Sequence, residues 1–406
     1  MTLATPVTAR QRLDVLDILR GFALFGILLA NSLIFSGVFF ANMVGAVEST
    51  PLDTVFFYVQ EVFIHGKFYS IFSILFGIGF YLFYSRAAER MPRPGRLFAR
   101  RLAILLGIGI VHATLIWAGD ILILYALLGF LLLAFFHARP RTLLLWVAVF
   151  LGLKVGVYCL MWASGMGDPM GPPPPGTPRD PDAFNPIQVM LNGFPGGYFD
   201  VLQANAVQLV GRWMNLILSL RPFPVLAMFV LGLWIGKQGI AADLARHRGL
   251  LETMAWLGLV GGVILNGLWA WLASDATPYL PGSALGAVEV LVETIGVPLL
   301  ALGYMAAFAL LVSGAGQGRL VNWLAPVGRM ALTNYLMQSI LAGLIFYGYG
   351  LGYYGQVGFA GATLMVVPIF LLQIPLSHWW LGRYRYGPME WVWRKLTYGG
   401  EVPMKR

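Results

Sequence analysis

A histidine and an aspartate lie eight residues apart in the segment HATLIWAGDILILYALLGF, residues 112–130. Gly119 and Asp120 predict a tight turn between two apolar helices, and across this turn the Asp120 carboxylate can reach back to His112. An aspartate that orients a histidine and stabilises its charged form is a general-base arrangement. The same pair can also serve as a salt bridge within a helix hairpin, so the sequence leaves a catalytic and a structural interpretation open.

Three polar residues occupy the apolar segment LDILRGFALFGILLAN, residues 16–31. Asp17 and Arg20 are three apart and share one helical face, and Asn31 follows three turns deeper on nearly the same face. Charge at membrane depth is costly, so such residues must face the bundle interior or an interface. We expect Asp17 and Arg20 at the cytoplasmic entry and Asn31 near the bilayer midplane. Alternatively, Arg20 is an interfacial anchor and Asn31 forms an interhelical hydrogen bond.

His65 and Lys67 introduce the segment HGKFYSIFSILFGIGF, near the outer end of the second predicted span. Lys67 is a candidate for stabilising a developing oxyanion. It can equally extend its ammonium group to the outer interface.

Glu289 and Glu293 are four apart, on one face of the eighth predicted span. Two carboxylates in an apolar segment need a cation, a proton or water, and Arg212 and Arg221 are the candidate partners on the outer side. An ion-pair network that only stabilises the fold is the alternative.

Polar groups also mark the start of the ninth predicted span, in PVGRMALTNYLMQS. They are Arg329, Asn334 and Gln338. The later segment YGPMEWVWRKLTYG contains Trp393 and Arg394 and suits the headgroup level of a membrane.

The composition determines what kind of fold must position these residues. Of 406 residues, 58% are hydrophobic and 11% are charged, whereas soluble domains carry about 25% charged residues. We therefore predict an all-α polytopic transmembrane bundle. The net charge of +9 sits in short loops between apolar runs, which favours membrane topology over nucleic-acid binding. Cys159 is the only cysteine, and no metal-binding spacing is visible.

A membrane span needs roughly 20 apolar residues. By this criterion, hydropathy predicts about ten spans. The predicted spans cover residues 18–41, 56–84, 97–117, 119–137, 142–164, 222–237, 250–273, 284–313, 329–348 and 358–380. Residues 201–220 contain Arg212 and end at Arg221-Pro222, which predicts an interfacial or re-entrant helix.

Orientation follows from the basic residues. With both termini in the cytoplasm, 22 of the 27 lysines and arginines fall on the inner side. The chain then divides into a five-span part (1–164), an external Pro-rich loop (165–200) and a C-terminal part (201–406). The loop is either a stiff spacer or a lid that guides an acceptor.

Taken together, these motifs resemble the YeiB-like family of bacterial inner-membrane proteins over nearly the whole chain. The resemblance rests on LDILRGFALFGILLAN, KFYSIFSILFG, HATLIWAGDILILYALLG, GRMALTNYLMQS and GPMEWVWRKLT. The family looks related to the transmembrane acyltransferases that include the lysosomal heparan-α-glucosaminide N-acetyltransferase. That relation implies acyl transfer from cytoplasmic acyl-CoA to an acceptor on the far face. Asp17, Arg20 and Asn31 match its first-span pattern, and His112 and Asp120 match the YeiB-like pattern. His65 stands in the region of the relatives' catalytic histidine.

Three functions therefore remain open. In an acyltransferase, acyl-CoA enters near Arg20, Arg329 and Arg394. His112 then deprotonates the acceptor, which is a glycan, a lipid or a metabolite. Asn31 or Lys67 stabilises the developing oxyanion. The substrate-contacting candidates are Asp17, Arg20, Glu289, Glu293, Arg329, Asn334 and Gln338. In a permease, Glu289, Glu293, His112 and Asp120 form a proton relay. The third interpretation is a membrane scaffold without catalysis.

Overall fold

The computed structural model describes residues 9–164, 184–273, 284–313, 323–400 and 402–405. Helices dominate these residues, and the one β-bridge among them joins Tyr384 to Lys405. The α-helices are α1 Ala9–Phe35, α2 Val38–Met43, α3 Pro51–Val59, α4 Lys67–Ala88, α5 Pro94–Leu115, α6 Leu122–Leu132, α7 Pro140–Ala163, α8 Pro186–Gly193, α9 Tyr198–Leu218, α10 Pro222–Lys237, α11 Arg248–Trp256, α12 Gly262–Leu272, α13 Ala284–Ser313, α14 Leu324–Arg329, α15 Ala331–Phe346, α16 Phe359–Arg383 and α17 Pro388–Tyr398.

Seven helical stretches in the described residues are long and apolar enough to cross a membrane. They are Val15–Phe35, Pro51–Ala88, Pro94–Leu115, Pro140–Ala163, Arg248–Leu272, Ala284–Ser313 and Phe359–Arg383. The prediction of a polytopic helical membrane protein is confirmed.

Seven or eight full-length helices stand against the ten spans that hydropathy predicts, and the difference lies in helix length. The fourth predicted span corresponds to Leu122–Phe135 and the ninth to Ala331–Phe346, and both are shorter than the seven full-length stretches. At 1.5 Å per residue such helices reach only about 20–25 Å, less than the roughly 30 Å hydrocarbon core. The sixth passes only when α9 and α10 count together as one broken span, which makes eight.

The predicted interfacial or re-entrant helix corresponds to α9. It meets α10 at a bend of 70°. Leu220 stands at this bend with φ of 52°, a left-handed conformation that is uncommon for a residue with a side chain. Of the predicted external loop, residues 165–183 lie outside the described residues, and the rest form α8 and the first residues of α9.

The second predicted span is interrupted where its polar residues lie. A π-helical segment, Gln60–Ile64, joins α3 to Gly66, which has φ of 85° before α4 begins. Glycine adopts this conformation without a steric penalty, and a side chain at position 66 would also crowd Val297. The break brings Gly66 against Val297 of α13, with His65 just before α4 and Lys67 as its first residue.

Sidedness is the first testable prediction. Reporter fusions after residues 88–96 and at the C-terminus are expected in the cytoplasm, and a fusion at residues 170–185 outside, because 22 of 27 basic residues then lie inside. A cytoplasmic signal from the Pro-rich loop would contradict this orientation.

Candidate functional site

The hairpin between α5 and α6 holds His112 and Asp120 together. The two carboxylate oxygens of Asp120 have different partners. Oδ1 accepts a hydrogen bond from the Ile123 backbone N–H at 2.8 Å, which caps the start of α6. Oδ2 lies 2.7 Å from His112 Nδ1. The aspartate therefore fixes the helix start and the imidazole at once.

Ser339 on α15 completes a three-residue chain. Its hydroxyl Oγ lies 2.9 Å from His112 Nε2. The imidazole therefore lies between the Asp120 carboxylate and the Ser339 hydroxyl, and that hydroxyl also lies 3.5 Å from the Tyr335 carbonyl oxygen of its own helix. The exposed fractions of His112, Asp120 and Ser339 are 1%, 4% and 2%. This Ser339–His112–Asp120 chain, the buried triad below, has the connectivity of a nucleophile, base and orienting acid.

Sequence reasoning missed Ser339. It lies within GRMALTNYLMQS, yet a lone serine in an apolar helix has no spacing that links it to a histidine 227 residues earlier. The available signal was periodic: Tyr335 and Ser339 are four apart and share a face of α15. The Tyr335 ring centroid lies 5.2 Å from that of His112.

Helices α9 and α1 enclose the triad. Asn205 on α9 clamps the hairpin, because its amide contacts the Ala118 N–H and the Ala113 carbonyl at 2.7 and 2.9 Å. Trp117 stacks on Phe35 of α1 with ring centroids 4.0 Å apart. The Trp117 indole N–H is buried and has no hydrogen-bond partner among the described residues.

Asn31 lies one turn before Phe35 on α1 and is half-buried. No hydrogen bond joins its side chain to another group in the described part of the chain. The structure therefore brings Asn31 toward the Trp117 side of the triad without bonding it there. Its proposed role at the oxyanion stays a prediction.

A second group of charged residues surrounds the break before α4. His65 Nδ1 lies 2.9 Å from a carboxylate oxygen of Glu61. Lys67 is fully buried, donates to the Glu61 carbonyl and lies 4.9 Å from the Trp269 ring centroid. Because it is buried, Lys67 does not extend to the outer interface, and that alternative is wrong. His65 and Lys67 belong to this group rather than to the hydrogen-bonded triad.

Glu289 and Glu293 belong to the same group, with partners that differ from the expected ones. Glu293 pairs with Lys154 of α7 at 2.5 Å, and Glu289 is hydrogen-bonded to Trp269. Arg212 instead donates to the Asp120 carbonyl at 3.2–3.3 Å. The expected Arg212 pairing with these glutamates is therefore wrong. The sequence did not predict the Lys154–Glu293 pair, because 139 residues separate the two side chains along the chain.

At the basic end of the bundle, Arg20 pairs with Asp17 at 2.6 Å. The backbone of Gly328 in α14 packs directly against α1 at the Asp17 carbonyl, where any side chain would collide. This contact places the neighbouring Arg329, which is exposed, beside the N-terminal half of α1.

Asn334 and Gln338 hold α15 against its neighbours. Asn334 Nδ2 donates to the Val327 carbonyl at 3.0 Å and to Ser377 Oγ at 3.1 Å, and Gln338 Nε2 donates to Gln373 Oε1 at 2.9 Å. These amides position the helix that carries Ser339. Their proposed contact with substrate stays a prediction.

Glu390 of α17 caps the start of α15. Its carboxylate accepts from the backbone N–H groups of Leu332 and Thr333 at 2.7 and 3.1 Å. Burial raises the pKa of the Glu390 carboxyl above its ordinary value. This contact explains why the two C-terminal motifs occur together: one caps the helix that the other forms.

The fold and this geometry define a class: a polytopic helical membrane protein with a buried Ser–His–Asp chain at one end and a basic surface at the other. Comparison with known proteins then gives the family. A family model described as "Protein of unknown function (DUF418)" matches residues 235–400. The chain is 32% identical to Uncharacterized protein YxaH of Bacillus subtilis (strain 168), over 100% of this chain and 99% of that protein. It is 28% identical to Uncharacterized protein YeiB of Escherichia coli (strain K12), over 95% and 96% of the two chains. The chain belongs to the YeiB-like family.

Proposed function

We propose that this protein is an acyltransferase of the bacterial inner membrane, which moves an acyl group from cytoplasmic acyl-CoA to an acceptor at the outer face. The observation that carries the proposal is the buried triad. A serine hydroxyl within hydrogen-bond distance of a histidine that contacts an aspartate is the arrangement of an activated nucleophile, and acyl transfer is a chemistry that such a group performs.

The triad supports a two-step reaction. In the first step Ser339 Oγ attacks the thioester carbonyl, His112 Nε2 takes the hydroxyl proton, and the C–S bond breaks as that proton passes to the leaving thiolate. In the second step an acceptor hydroxyl or amine attacks the Ser339 ester, and His112 takes its proton. The Ser339 oxygen leaves and regains a proton from His112.

Burial suits this intermediate. Water that reached an acyl-serine would hydrolyse it, and exclusion of bulk water also strengthens the His112–Asp120 interaction that stabilises the transient imidazolium. Among acceptors, this chemistry accommodates the hydroxyl or amine of a glycan, a lipid or a small metabolite.

The proposal is tested by transfer of a labelled acyl group in proteoliposomes. Acyl-CoA is added on the side of the termini, and label is followed onto acceptors on both sides. Acyl-CoA retained through purification, detected by mass spectrometry, would support the proposal. A well-folded protein that neither retains nor consumes acyl-CoA would contradict it.

A proton-coupled permease is the second candidate, and the Glu61–His65, Lys67 and Glu293–Lys154 contacts favour it. The relay expected from sequence would join these groups to His112 and Asp120. However, the Arg212 guanidinium donates to the Asp120 carbonyl at 3.2–3.3 Å. A guanidinium at this position repels a migrating proton. Acceptor-independent proton flux in proteoliposomes would favour the permease over the enzyme.

Arg20 lies where we expect the acyl-CoA donor to enter from the cytoplasm. Arg20→Ala is expected to weaken acyl-CoA binding by about 1.5–3 kcal/mol, because an anionic ligand loses a charge-assisted hydrogen bond. Asp17→Asn is the control, since it breaks the ion pair but keeps the guanidinium. Unchanged binding with a lower unfolding temperature in Arg20→Ala would show that Arg20 only partners Asp17 or anchors the interface.

A further inference from the structure

Arg101 of α5 contacts two aromatic rings at the end of the bundle where Arg20 and Arg394 also lie. Its guanidinium carbon lies 3.6 Å from the ring centroid of Trp393 and 5.2 Å from that of Phe83. The Trp393 indole N–H donates to the Arg101 carbonyl at 2.8 Å, which fixes the ring under the guanidinium. Two cation–π contacts and one hydrogen bond therefore restrain a side chain that is usually mobile.

Within the described ranges no carboxylate lies at ion-pair distance from the Arg101 guanidinium. Asp17 pairs with Arg20, and Glu390 accepts from the backbone at the start of α15. Arg20 and Arg394 both repel Arg101 electrostatically, so positive charge accumulates here. Arg394 itself lies against the Tyr386 ring at 4.6 Å.

Two aromatic rings lie against this guanidinium, and its N–H groups donate no hydrogen bond to any of the described residues. The N–H edge of a guanidinium matches two oxygens of one phosphate group, which is why arginine binds phosphate bidentately. We propose that Arg101, with Arg20 of α1 and Arg394 of α17, forms a phosphate-binding site among α1, α4, α5 and α17. Phosphate is the ligand chemistry, and the phosphates of the acyl donor are its source; only this choice of source rests on the proposed function. An anionic phospholipid headgroup carries the same group.

The position of Arg101 relative to the triad fits a long donor. Arg101 and His112 lie on the same helix, eleven residues apart. At 1.5 Å per residue this is about 16 Å. Acyl-CoA carries its phosphates at one end and its thioester at the other, so both sites can be occupied by one molecule.

The test measures binding of defined probes to the full-length protein in nanodiscs. The probes are free coenzyme A, inorganic pyrophosphate, and nanodiscs of phosphatidylcholine with or without phosphatidylglycerol. Arg101→Gln is expected to weaken coenzyme A and pyrophosphate binding about tenfold or more. Arg101→Lys, which keeps the charge but loses the planar edge, is expected to fall between wild type and Arg101→Gln. Arg96→Gln is the matched control, because Arg96 is exposed on the same helix and loses the same charge.

The outcomes separate the two proposals. Arg101-dependent coenzyme A binding without any acyl transfer would leave the phosphate site standing and remove the proposed function. Arg101-dependent retention of phosphatidylglycerol, with no binding of the soluble probes, would assign the site to a lipid headgroup. Equal losses in Arg101→Gln and Arg96→Gln, or no loss in a folded Arg101→Gln protein, would overturn the site.

Discussion

Ser339→Ala is expected to abolish acyl transfer, with a loss of about a thousandfold or more, because the variant has no hydroxyl to form the ester. His112→Ala is expected to lose as much, since it removes the base from the same step. Asp120→Asn should lose less but still heavily, because the imidazole remains while its orientation and charge stabilisation are lost. The Ser339→Ala/His112→Ala double variant should be no worse than either single variant, since the residues act as a unit.

The measurement is the initial rate of labelled acyl transfer in proteoliposomes, with coenzyme A binding measured in parallel. Ser32→Ala is the matched control, because Ser32 is also a buried helical serine and its hydroxyl donates to the Leu29 carbonyl of its own helix at 2.7 Å. That variant is expected to transfer normally. Near-normal transfer by folded His112→Ala would remove the triad from the mechanism and move the assignment to His65. Misfolding of both His112→Ala and Asp120→Asn would support the structural salt bridge.

Lys154→Met is expected to destabilise the protein by about 3–5 kcal/mol, because it leaves the Glu293 carboxylate buried without its partner. The side chains of Lys154 and Glu293 are 9% and 23% exposed, and their contact joins α7 to α13. Lys154→Met/Glu293→Met should recover much of the loss, since two buried apolar side chains carry no unpaired charge. If Lys154 and Glu293 instead relay protons, the double variant should recover stability but not proton transport. The double variant therefore distinguishes a structural role of the pair from a transport role.

Thermal unfolding of the purified variants in detergent measures this effect. The exposed pair Arg248–Glu252 is the control, with side chains 73% and 50% exposed. Arg248→Met is expected to cost only about 0.3–0.5 kcal/mol, because solvent screens this pair. If Lys154→Met costs no more than Arg248→Met, the Lys154–Glu293 contact does not support the bundle.

The contacts that sequence could predict are local ones. Asp120 follows His112 by eight residues across a glycine turn, and the structure has their atoms 2.7 Å apart. Ser339 and Lys154 could not be predicted, because their partners lie 227 and 139 residues away and meet only through helix packing. Burial also decides what a charged side chain does, as the wrong expectation for Lys67 shows.

Hydropathy gave the positions of the helices more reliably than their lengths. The segment after Asp120 is apolar throughout, yet the α-helix ends at Leu132 and a short 3-10 turn follows it. Likewise, the ninth segment is broken between Arg329 and Ala331, where Glu390 caps a new helix. Apolar composition therefore indicates where a helix lies but not where it begins and ends.

The central claim is that Ser339 carries the acyl group, and intact mass spectrometry tests it most directly. Purified protein is incubated with acyl-CoA without an acceptor, quenched, and its mass compared with that of Ser339→Ala. The triad predicts one added acyl group, located by peptide mapping on Ser339, absent from Ser339→Ala and lost when an acceptor is supplied. Transfer that proceeds at the wild-type rate in Ser339→Ala, with no acylated protein at any time, would contradict it.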